Sequence, residues 1–128
     1  MVDERTQAKA VVLVVEDEPI LRIAAVSFLE DAGFDAIEAE DADRAIALLE
    51  GRDDIRLVFT DIDMPAGSMN GLRLARAVRD RWPPIAIIIV SGHRIPEVNE
   101  LPHGSKFFAK PYDETQMVST MRQMLQAA

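Results

Sequence analysis

The sequence predicts an α/β fold, a three-layer sandwich in which helices cover both faces of a parallel sheet. Short runs of aliphatic and β-branched residues, which suit strands buried on both faces, alternate along the chain with segments of helical periodicity. Right-handed crossovers between such strands place the connecting helices on the two sheet faces. Four of the runs end in polar residues. Polar side chains should therefore gather at the carboxyl edge of the sheet, where open α/β sheets bind ligands.

The first strand is predicted over residues 11–15, an aliphatic run that ends at the acidic pair Glu16 and Asp17. A helix should follow and end near Gly33, because glycine adopts the left-handed conformation that closes many helices. Residues 34–39 form the predicted second strand. Residues at helical spacing define the apolar face predicted for the first helix: Ile20, Ile23, Ala24, Ser27 and Phe28.

Asp41 is predicted to cap a second helix that ends at Gly51, and residues 56–60 are predicted to form the third strand. The inner face of the second helix should consist of Ala42, Ala45, Ile46 and Leu49. A turn-rich loop over residues 65–70 leads into a third helix, which the proline pair at 83–84 ends. The inner face of the third helix should consist of Leu72, Ala75, Val78 and Trp82.

The fourth strand is predicted to begin at Ile85, and the fifth covers residues 107–109. Between them the helical pattern weakens, because prolines and glycines leave room for only one or two turns around residues 97–101. The fourth helix is therefore predicted to be short or missing. The last helix should begin at Asp113, with Gln116 in the capping-box position. Its buried side should consist of Met117, Met121, Met124 and Leu125.

Composition and charge exclude several classes of protein. The 128 residues suffice for one core, so we expect a single domain over residues 1–128, with its core at about 10–125 and no output domain. The net charge of −8 argues against direct binding to nucleic acid or an anionic membrane. There is no cysteine, no basic and apolar signal segment, and no apolar run long enough to cross a bilayer. We therefore expect a cytoplasmic protein.

The polar residues that follow the predicted strands suggest a particular chemistry. They are Glu16, Asp17, Asp61, Ser91 and Lys110. At one edge of a parallel sheet, three carboxylates, a hydroxyl and an ammonium would share a crevice. Crowded carboxylates repel one another, so the cluster needs a cation, and an all-oxygen site suits Mg²⁺. The pattern indicates metal-assisted phosphoryl transfer to a carboxylate.

Four motifs together resemble the receiver domain of two-component response regulators. They are VVEDEP at residues 14–19, TDIDMP at 60–65, VSG at 90–92 and FFAKP at 107–111. Each motif is weak alone, but all four occur in order, each at a strand end, and the resemblance covers nearly the whole chain. It implies a CheY-like, five-stranded parallel sheet of flavodoxin-like order 2-1-3-4-5. It also implies that Asp61 is the phosphoacceptor.

The resemblance implies roles for the neighbouring residues as well. Glu16, Asp17 and Asp61 would supply carboxylate ligands for Mg²⁺, with one member of the acidic pair acting through a water. Asp63 would add its backbone carbonyl. Lys110 would contact the phosphoryl group from the end of the last strand, and the proline that follows it would have a cis peptide bond.

Ser91 and Phe107 are the predicted switch residues. In receivers, the hydroxyl after the fourth strand moves toward the phosphoryl group and an aromatic residue of the fifth strand turns inward. Phe107 has no hydroxyl, so it would change only its burial, and a fixed core phenylalanine is an equally open interpretation. At the rim, Asp63 and His93 are candidates for tuning hydrolysis of the phosphoryl group. His103 is interpreted as an exposed loop residue.

The expected function is that of a single-domain response regulator. A sensor histidine kinase or a histidine phosphotransfer protein would donate a phosphoryl group to Asp61 in a Mg²⁺-dependent reaction. The domain would catalyse only its own phosphorylation and dephosphorylation, so we do not expect an enzyme. It would signal by binding a downstream protein, or act as a phosphate shuttle or sink. The loop at 65–71 is longer and the interval 91–110 shorter than usual, which leaves the binding face and oligomeric state open.

Two alternatives are open. Asp61 and Asp63 after an apolar strand also resemble the nucleophile motif of haloacid-dehalogenase-like phosphatases, in which the second aspartate is a general acid/base. That family usually places its motif on the first strand, whereas here about sixty residues precede it. The other alternative is a pseudo-receiver that is never phosphorylated and serves only as a binding module.

Overall fold

The computed structural model describes residues 9–64 and 69–127. Within these ranges the strands are β1 Val11–Val15, β2 Asp35–Ala39, β3 Ile55–Asp61, β4 Ala86–Ser91 and β5 Lys106–Ala109. The α-helices are α1 Pro19–Asp31, α2 Ala42–Gly51, α3 Gly71–Arg81 and α4 Glu114–Ala127. All strand pairs are parallel, in the order β2-β1-β3-β4-β5. The predicted fold class and strand order are confirmed.

The strand β3 shows how helices cover the sheet on both faces. Val58 belongs to the apolar cluster beneath α2 and α3, whereas Leu57 and Phe59 belong to the cluster beneath α1 and α4. Successive side chains of a strand point to opposite faces, so neighbouring residues enter different cores. Both faces are buried, which explains why the strand runs are apolar throughout.

The register of the sheet aligns the polar residues at its carboxyl edge. Glu16 follows β1 at the level of Asp61, because the residues before them are paired. Lys110 follows the residue that pairs with Ser91, the last residue of β4. Since β1, β3, β4 and β5 are consecutive neighbours in the sheet, these side chains lie along one edge.

Side-chain caps begin three of the helices. Asp41 Oδ1 accepts a hydrogen bond of 2.8 Å from the amide three residues later, and Asp113 Oδ1 accepts one of 2.9 Å in the same way. Both caps were predicted from the sequence. Asn70 caps α3 through a bond of 3.0 Å, although the sequence pattern indicated only a turn there. A cap satisfies an amide that has no partner within the helix.

The buried face of α1 differs from the predicted face. The spacing predicts that Ile20 and Ile23 face the core, but they are 75% and 61% exposed. The buried residues of this helix are Ala25 and Leu29. Residues 20–26 are apolar at every position but one, so their spacing fits more than one rotation of the helix about its axis. Packing on the sheet decides the rotation, with the small Ala25 on the buried side.

Between β4 and β5 the chain forms a short 3-10 turn, Val98–Glu100, in place of a full helix. The prediction of a short or missing fourth helix is therefore confirmed. The turn-rich loop predicted at 65–70 lies largely outside the described residues. Among the helices that are described, none combines the length and the apolar character that a membrane span requires.

Candidate functional site

Three carboxylates converge at the carboxyl edge of the sheet. Glu16 and Asp17 follow β1, and Asp61 is the last residue of β3. One carboxylate oxygen from each residue lies within 4.8 Å of the others. The side chains of Glu16 and Asp61 are only 8% and 7% exposed, so water screens their mutual repulsion poorly. The fold therefore brings the predicted acidic residues together.

Lys110, directly after β5, is the cation that faces this cluster. Its Nζ donates a hydrogen bond of 3.0 Å to Glu16 Oε1 and lies 3.4 Å from Asp61 Oδ1. Asp61 Oδ1 is buried and accepts no hydrogen bond from the described residues. One ammonium thus faces several carboxylates, and an oxygen of Asp61 is left for a further positive group. The peptide bond between Lys110 and Pro111 is cis, as the resemblance implies.

The crowding of charges alters the protonation of the cluster. Burial and the Glu16 carboxylate raise the pKa of Asp61 to about 6, and the Lys110 ammonium opposes them only in part. Burial acts to lower the pKa of Lys110, but the hydrogen bond to Glu16 and the charge of Asp61 outweigh it, so this pKa is raised. At neutral pH Lys110 is charged and Asp61 is mostly ionised. An ionised carboxylate is the form that acts as a nucleophile.

Ser91, the last residue of β4, holds its hydroxyl at the rim of the cluster. Ser91 Oγ donates a hydrogen bond of 3.0 Å to Asp63 Oδ2. The same Oγ accepts bonds of 3.2 Å from the backbone amides of His93 and Arg94. The predicted hydroxyl is therefore near the acidic cluster, but its hydrogen is directed at Asp63 and not at Asp61.

The three clustered carboxylates and Lys110 line an open cleft of about 670 Å³. Asp63 and His93 line its rim, where the sequence places both. His103 does not line the cleft; it is exposed, and its carbonyl accepts a hydrogen bond of 2.8 Å from Arg79 Nε. Phe107 is half-buried in β5 and packs against the core beneath α2 and α3. Its predicted switch role stays a prediction.

Gly71 is a position that the sequence argument missed. It is the buried first residue of α3, and its amide donates a hydrogen bond of 3.0 Å to the carbonyl of Ile62. A Cβ atom at this position would collide with the backbone carbonyl of Asp61. The start of α3 thus packs directly against the backbone that carries Asp61. The sequence does contain a signal, the pair Asn70 and Gly71. Such a pair is typical of a turn, but it is also compatible with a helix that asparagine caps and that begins with glycine.

The donor set fits a hard divalent cation. All three clustered groups offer carboxylate oxygens, and Asp61 Oδ1 is buried without a hydrogen bond from the described part of the chain. Mg²⁺ prefers oxygen ligands of this kind. Fold and site together define a doubly wound α/β domain with an acidic, cation-compatible cleft at the carboxyl edge of its sheet.

Comparison with known proteins assigns the family. The family model of the response regulator receiver domain matches residues 12–122, and the chain belongs to this family. The predicted resemblance is confirmed. Receiver domains are two-component signalling domains and not classical enzymes. They bind Mg²⁺ at an acidic cluster and interact with sensor kinases and downstream effectors.

Two relatives and one solved structure illustrate the similarity. The chain is 32% identical over 110 residues to the nitrogen assimilation regulatory protein NtrX of Azorhizobium caulinodans, a match covering 84% of this chain and 24% of NtrX. It is 33% identical over 121 residues to the sensor kinase CckA of Brucella abortus, covering 91% of this chain and 13% of CckA. The crystal structure of the NtrX receiver domain from Brucella abortus matches with a TM-score of 0.83 at 30% identity, covering 91% and 99% of the two chains. The chain spans about a quarter or less of the length of these two curated relatives.

The phosphatase alternative receives no support from these observations. Asp61 ends the third strand of the chain, whereas the phosphatase motif belongs on the first strand. The receiver family also matches the chain across all five strands. The pseudo-receiver alternative is disfavoured because the acidic cluster and Lys110 lie together, as phosphorylation chemistry would need.

Proposed function

We propose that Asp61 accepts a phosphoryl group from a phosphohistidine of a sensor kinase or a histidine phosphotransfer protein, in a reaction that needs Mg²⁺. The observation that carries this proposal is the buried Asp61 carboxylate beside an acidic pair and 3.4 Å from the Lys110 ammonium. A carboxylate is a weak nucleophile unless it is fixed in line with phosphorus and the charge of the phosphoryl group is neutralised. The fixed, buried carboxylate of Asp61 supports the first condition, and the Lys110 ammonium beside it supports the second.

Glu16, Asp17 and Asp61 are the side chains that would hold Mg²⁺, with Asp63 contributing its backbone carbonyl. The support is the convergence of the three carboxylates and the buried Asp61 Oδ1 that accepts no hydrogen bond from the described residues. When bound, Mg²⁺ neutralises charge on the oxygens of the phosphoryl group and so lowers the barrier to its transfer.

The transfer itself uses residues of the chain. A carboxylate oxygen of Asp61 forms a bond to phosphorus while the bond from phosphorus to the donor imidazole nitrogen breaks, and the electron pair of that bond stays on nitrogen. Lys110 stabilises the negative charge of the phosphoryl oxygens. Ser91 donates its hydroxyl hydrogen to one of these oxygens. Its position at the end of β4, one strand away from Asp61, supports this role.

The phosphoryl group leaves by hydrolysis. The oxygen of a water molecule bonds to phosphorus, the bond to the Asp61 oxygen breaks, and inorganic phosphate departs as the carboxylate is restored. Asp63 and His93 line the rim through which this water would enter, so they are the candidates for setting the lifetime of the phosphorylated form.

The output would be a change of surface around Ser91 and Phe107 that another protein reads. We infer that the domain signals by binding a target protein or passes the phosphoryl group to a histidine, as a shuttle or sink. The similarity to both NtrX and a sensor kinase is compatible with each of these roles. Residues 1–128 would act as one receiver unit.

The test is phosphorylation by acetyl phosphate with Mg²⁺, read as intact mass. Wild type should gain one acid-labile phosphoryl group, and Asp61→Asn should gain none. Asp54→Asn is the matched control, because Asp54 is an exposed carboxylate paired with Arg52 far from the cleft. Equal phosphorylation of wild type and Asp61→Asn would refute the proposal. Steady turnover of a generic phosphate ester would instead support the phosphatase alternative.

A further inference from the structure

The carboxylate of Asp63 makes a specific contact that phosphoryl transfer to Asp61 does not use. Asp63 Oδ2 accepts a hydrogen bond of 3.0 Å from Ser91 Oγ. Ser91 is only 2% exposed, so water does not readily replace this acceptor. Hydrogen bonds to an ionised acceptor are also stronger than neutral ones.

The Ser91 hydroxyl connects this carboxylate to the segment that follows β4. Its oxygen accepts the amides of His93 and Arg94 at 3.2 Å, while its hydrogen is given to Asp63. The arrangement is a relay of three hydrogen bonds: two amides donate to a hydroxyl, and the hydroxyl donates to a carboxylate. Each donor in such a chain strengthens the next.

A serine hydroxyl has one hydrogen, so it cannot donate to Asp63 and to a phosphoryl group on Asp61 at the same time. A phosphoryl group would also add negative charge two residues before Asp63, and it would compete with Asp63 for the same donor. If Oγ turns toward Asp61, the amides of His93 and Arg94 lose their acceptor as well.

We propose that Asp63 is a positioning residue that holds the Ser91 hydroxyl, and through it the start of the segment 92–100, in the resting arrangement until Asp61 is phosphorylated. That Asp63 holds Ser91 in the unphosphorylated protein depends on the contacts of the structure alone. That phosphorylation of Asp61 releases Ser91 rests on the proposed function. The segment in question carries two apolar side chains, Ile95 and Val98, that are 80% and 86% exposed. Its release would therefore alter an exposed apolar surface.

The test compares Asp63→Ala with Asp63→Asn in the unphosphorylated protein. Alanine removes the acceptor, whereas asparagine keeps a carbonyl oxygen of similar shape at the same place. The readout is amide hydrogen exchange at His93 and Arg94, measured residue by residue by NMR. Met117 in α4, whose amide donates a hydrogen bond to the carbonyl of Asp113 just before that helix, serves as the internal reference.

We expect Asp63→Ala to raise exchange at His93 and Arg94 by roughly tenfold, the ratio for loss of one charge-assisted hydrogen bond. Asp63→Asn should stay within about twofold of wild type, because a neutral acceptor still holds the hydroxyl. Ser91→Ala should raise exchange at His93 and Arg94 by the same factor as Asp63→Ala. The double variant should show no faster exchange than either single variant. Exchange in Asp63→Ala equal to that of wild type would overturn the proposal.

The second arm repeats the measurement with acetyl phosphate and Mg²⁺. Phosphorylated wild type should show the faster exchange at His93 and Arg94, and Asp63→Ala should show no further increase. Unchanged exchange in protein shown by mass to be phosphorylated would overturn the release step. If no phosphoryl group is added at all, the proposed function fails together with the release step, while the first arm still decides whether Asp63 holds Ser91.

Discussion

Charged residues are arranged differently at the two edges of the sheet. The strands begin at the amino edge and end at the carboxyl edge. At the amino edge two ion pairs each join one cation to one anion: Arg52 contacts Asp54 at 2.8 and 2.7 Å, and Arg81 contacts Glu50 at 2.7 Å. At the carboxyl edge a single lysine faces Glu16 and Asp61, while Asp17 lies within the same cluster. The amino-edge pairs are exposed and the carboxyl-edge pair is largely buried.

This difference separates charges that water solvates from charges that repel one another inside the fold. Exposed ion pairs contribute little to stability, because water already solvates both partners. Buried carboxylates without enough cations destabilise the fold, and the rest of the core must hold them in place. The same repulsion raises the affinity of the cluster for a divalent cation.

Gly71→Ala should have the largest effect. The new methyl group would collide with the carbonyl of Asp61, and relief requires movement of backbone at the carboxyl edge. We expect a loss of about 3 kcal/mol in the free energy of unfolding, measured with urea, and impaired phosphorylation. Gly51→Ala is the control at the amino edge, since nothing lies within 4 Å of a Cβ there. A Gly71→Ala protein as stable as Gly51→Ala would contradict the close packing of α3 on β3.

Asp61→Asn should stabilise the protein at high pH. Burial and the Glu16 carboxylate raise the pKa of Asp61 from its ordinary value of 3.8 to about 6 in the folded chain. Wild type therefore loses stability as the pH rises through about 6, because Asp61 must ionise inside the cluster. Without Mg²⁺, Asp61→Asn should be more stable than wild type by roughly 2 kcal/mol at about pH 8, after allowance for solvent screening.

The advantage of Asp61→Asn should disappear below about pH 4, where the wild-type carboxyl is protonated in both states. Asp54→Asn makes the same chemical change at the amino edge. Its hydrogen bond to Arg52 lowers the pKa of Asp54, so this variant should show no gain in stability at any pH. Unfolding with urea across the pH range compares the three proteins. A stability difference that does not change with pH would contradict the raised pKa of Asp61.

Mg²⁺ should stabilise the wild type through the carboxyl edge alone. A free concentration ten times the dissociation constant adds roughly 1.4 kcal/mol to the free energy of unfolding. Asp17→Asn should lose most of this gain, because it removes one carboxylate of the cluster. Asp54→Asn should keep it. Removal of Mg²⁺ with EDTA should return the wild type to its starting stability, and equal gains in all three proteins would show that the ion binds elsewhere.

Arg52→Gln should have the smallest effect. The exposed pair with Asp54 is already well solvated, so we expect no measurable change in the urea midpoint at physiological salt. A marked destabilisation would show that the amino edge also depends on its charges. The contrast between the two edges would then be lost.

Much of the fold follows from local pattern. Buried strands need continuous apolar runs, and caps such as Asp41 and Asp113 mark the starts of helices. The element order and the short turn before β5 were therefore predictable. The carboxyl-edge cluster was predictable once the strands were known to be parallel. Parallel strands bring the residues at their carboxyl ends to one edge, and Asp61 and Lys110 are such residues.

The remainder depends on contacts between distant segments. The rotation of α1 about its axis was predicted wrongly. A nearly continuous apolar stretch does not indicate which side of the helix faces the core, and packing on the sheet decides which side is buried. The role of Gly71 depends on the distance between α3 and β3, which no local spacing encodes. The hydrogen bond between Asp63 and Ser91 joins the loop after β3 to the end of β4, 28 positions apart in the sequence. Such a pairing depends on side-chain orientation at the rim.

The most direct measurement is reductive trapping of the phosphorylated residue. The protein is treated with acetyl phosphate and Mg²⁺, the acyl phosphate is reduced with borohydride, and the converted aspartate is located by peptide mass spectrometry. We predict conversion at Asp61 with Mg²⁺ and none in EDTA. Conversion at Asp17 or Asp63 instead of Asp61, or conversion at Asp61 that is independent of Mg²⁺, would contradict a carboxyl-edge cluster built around one cation and one phosphoacceptor.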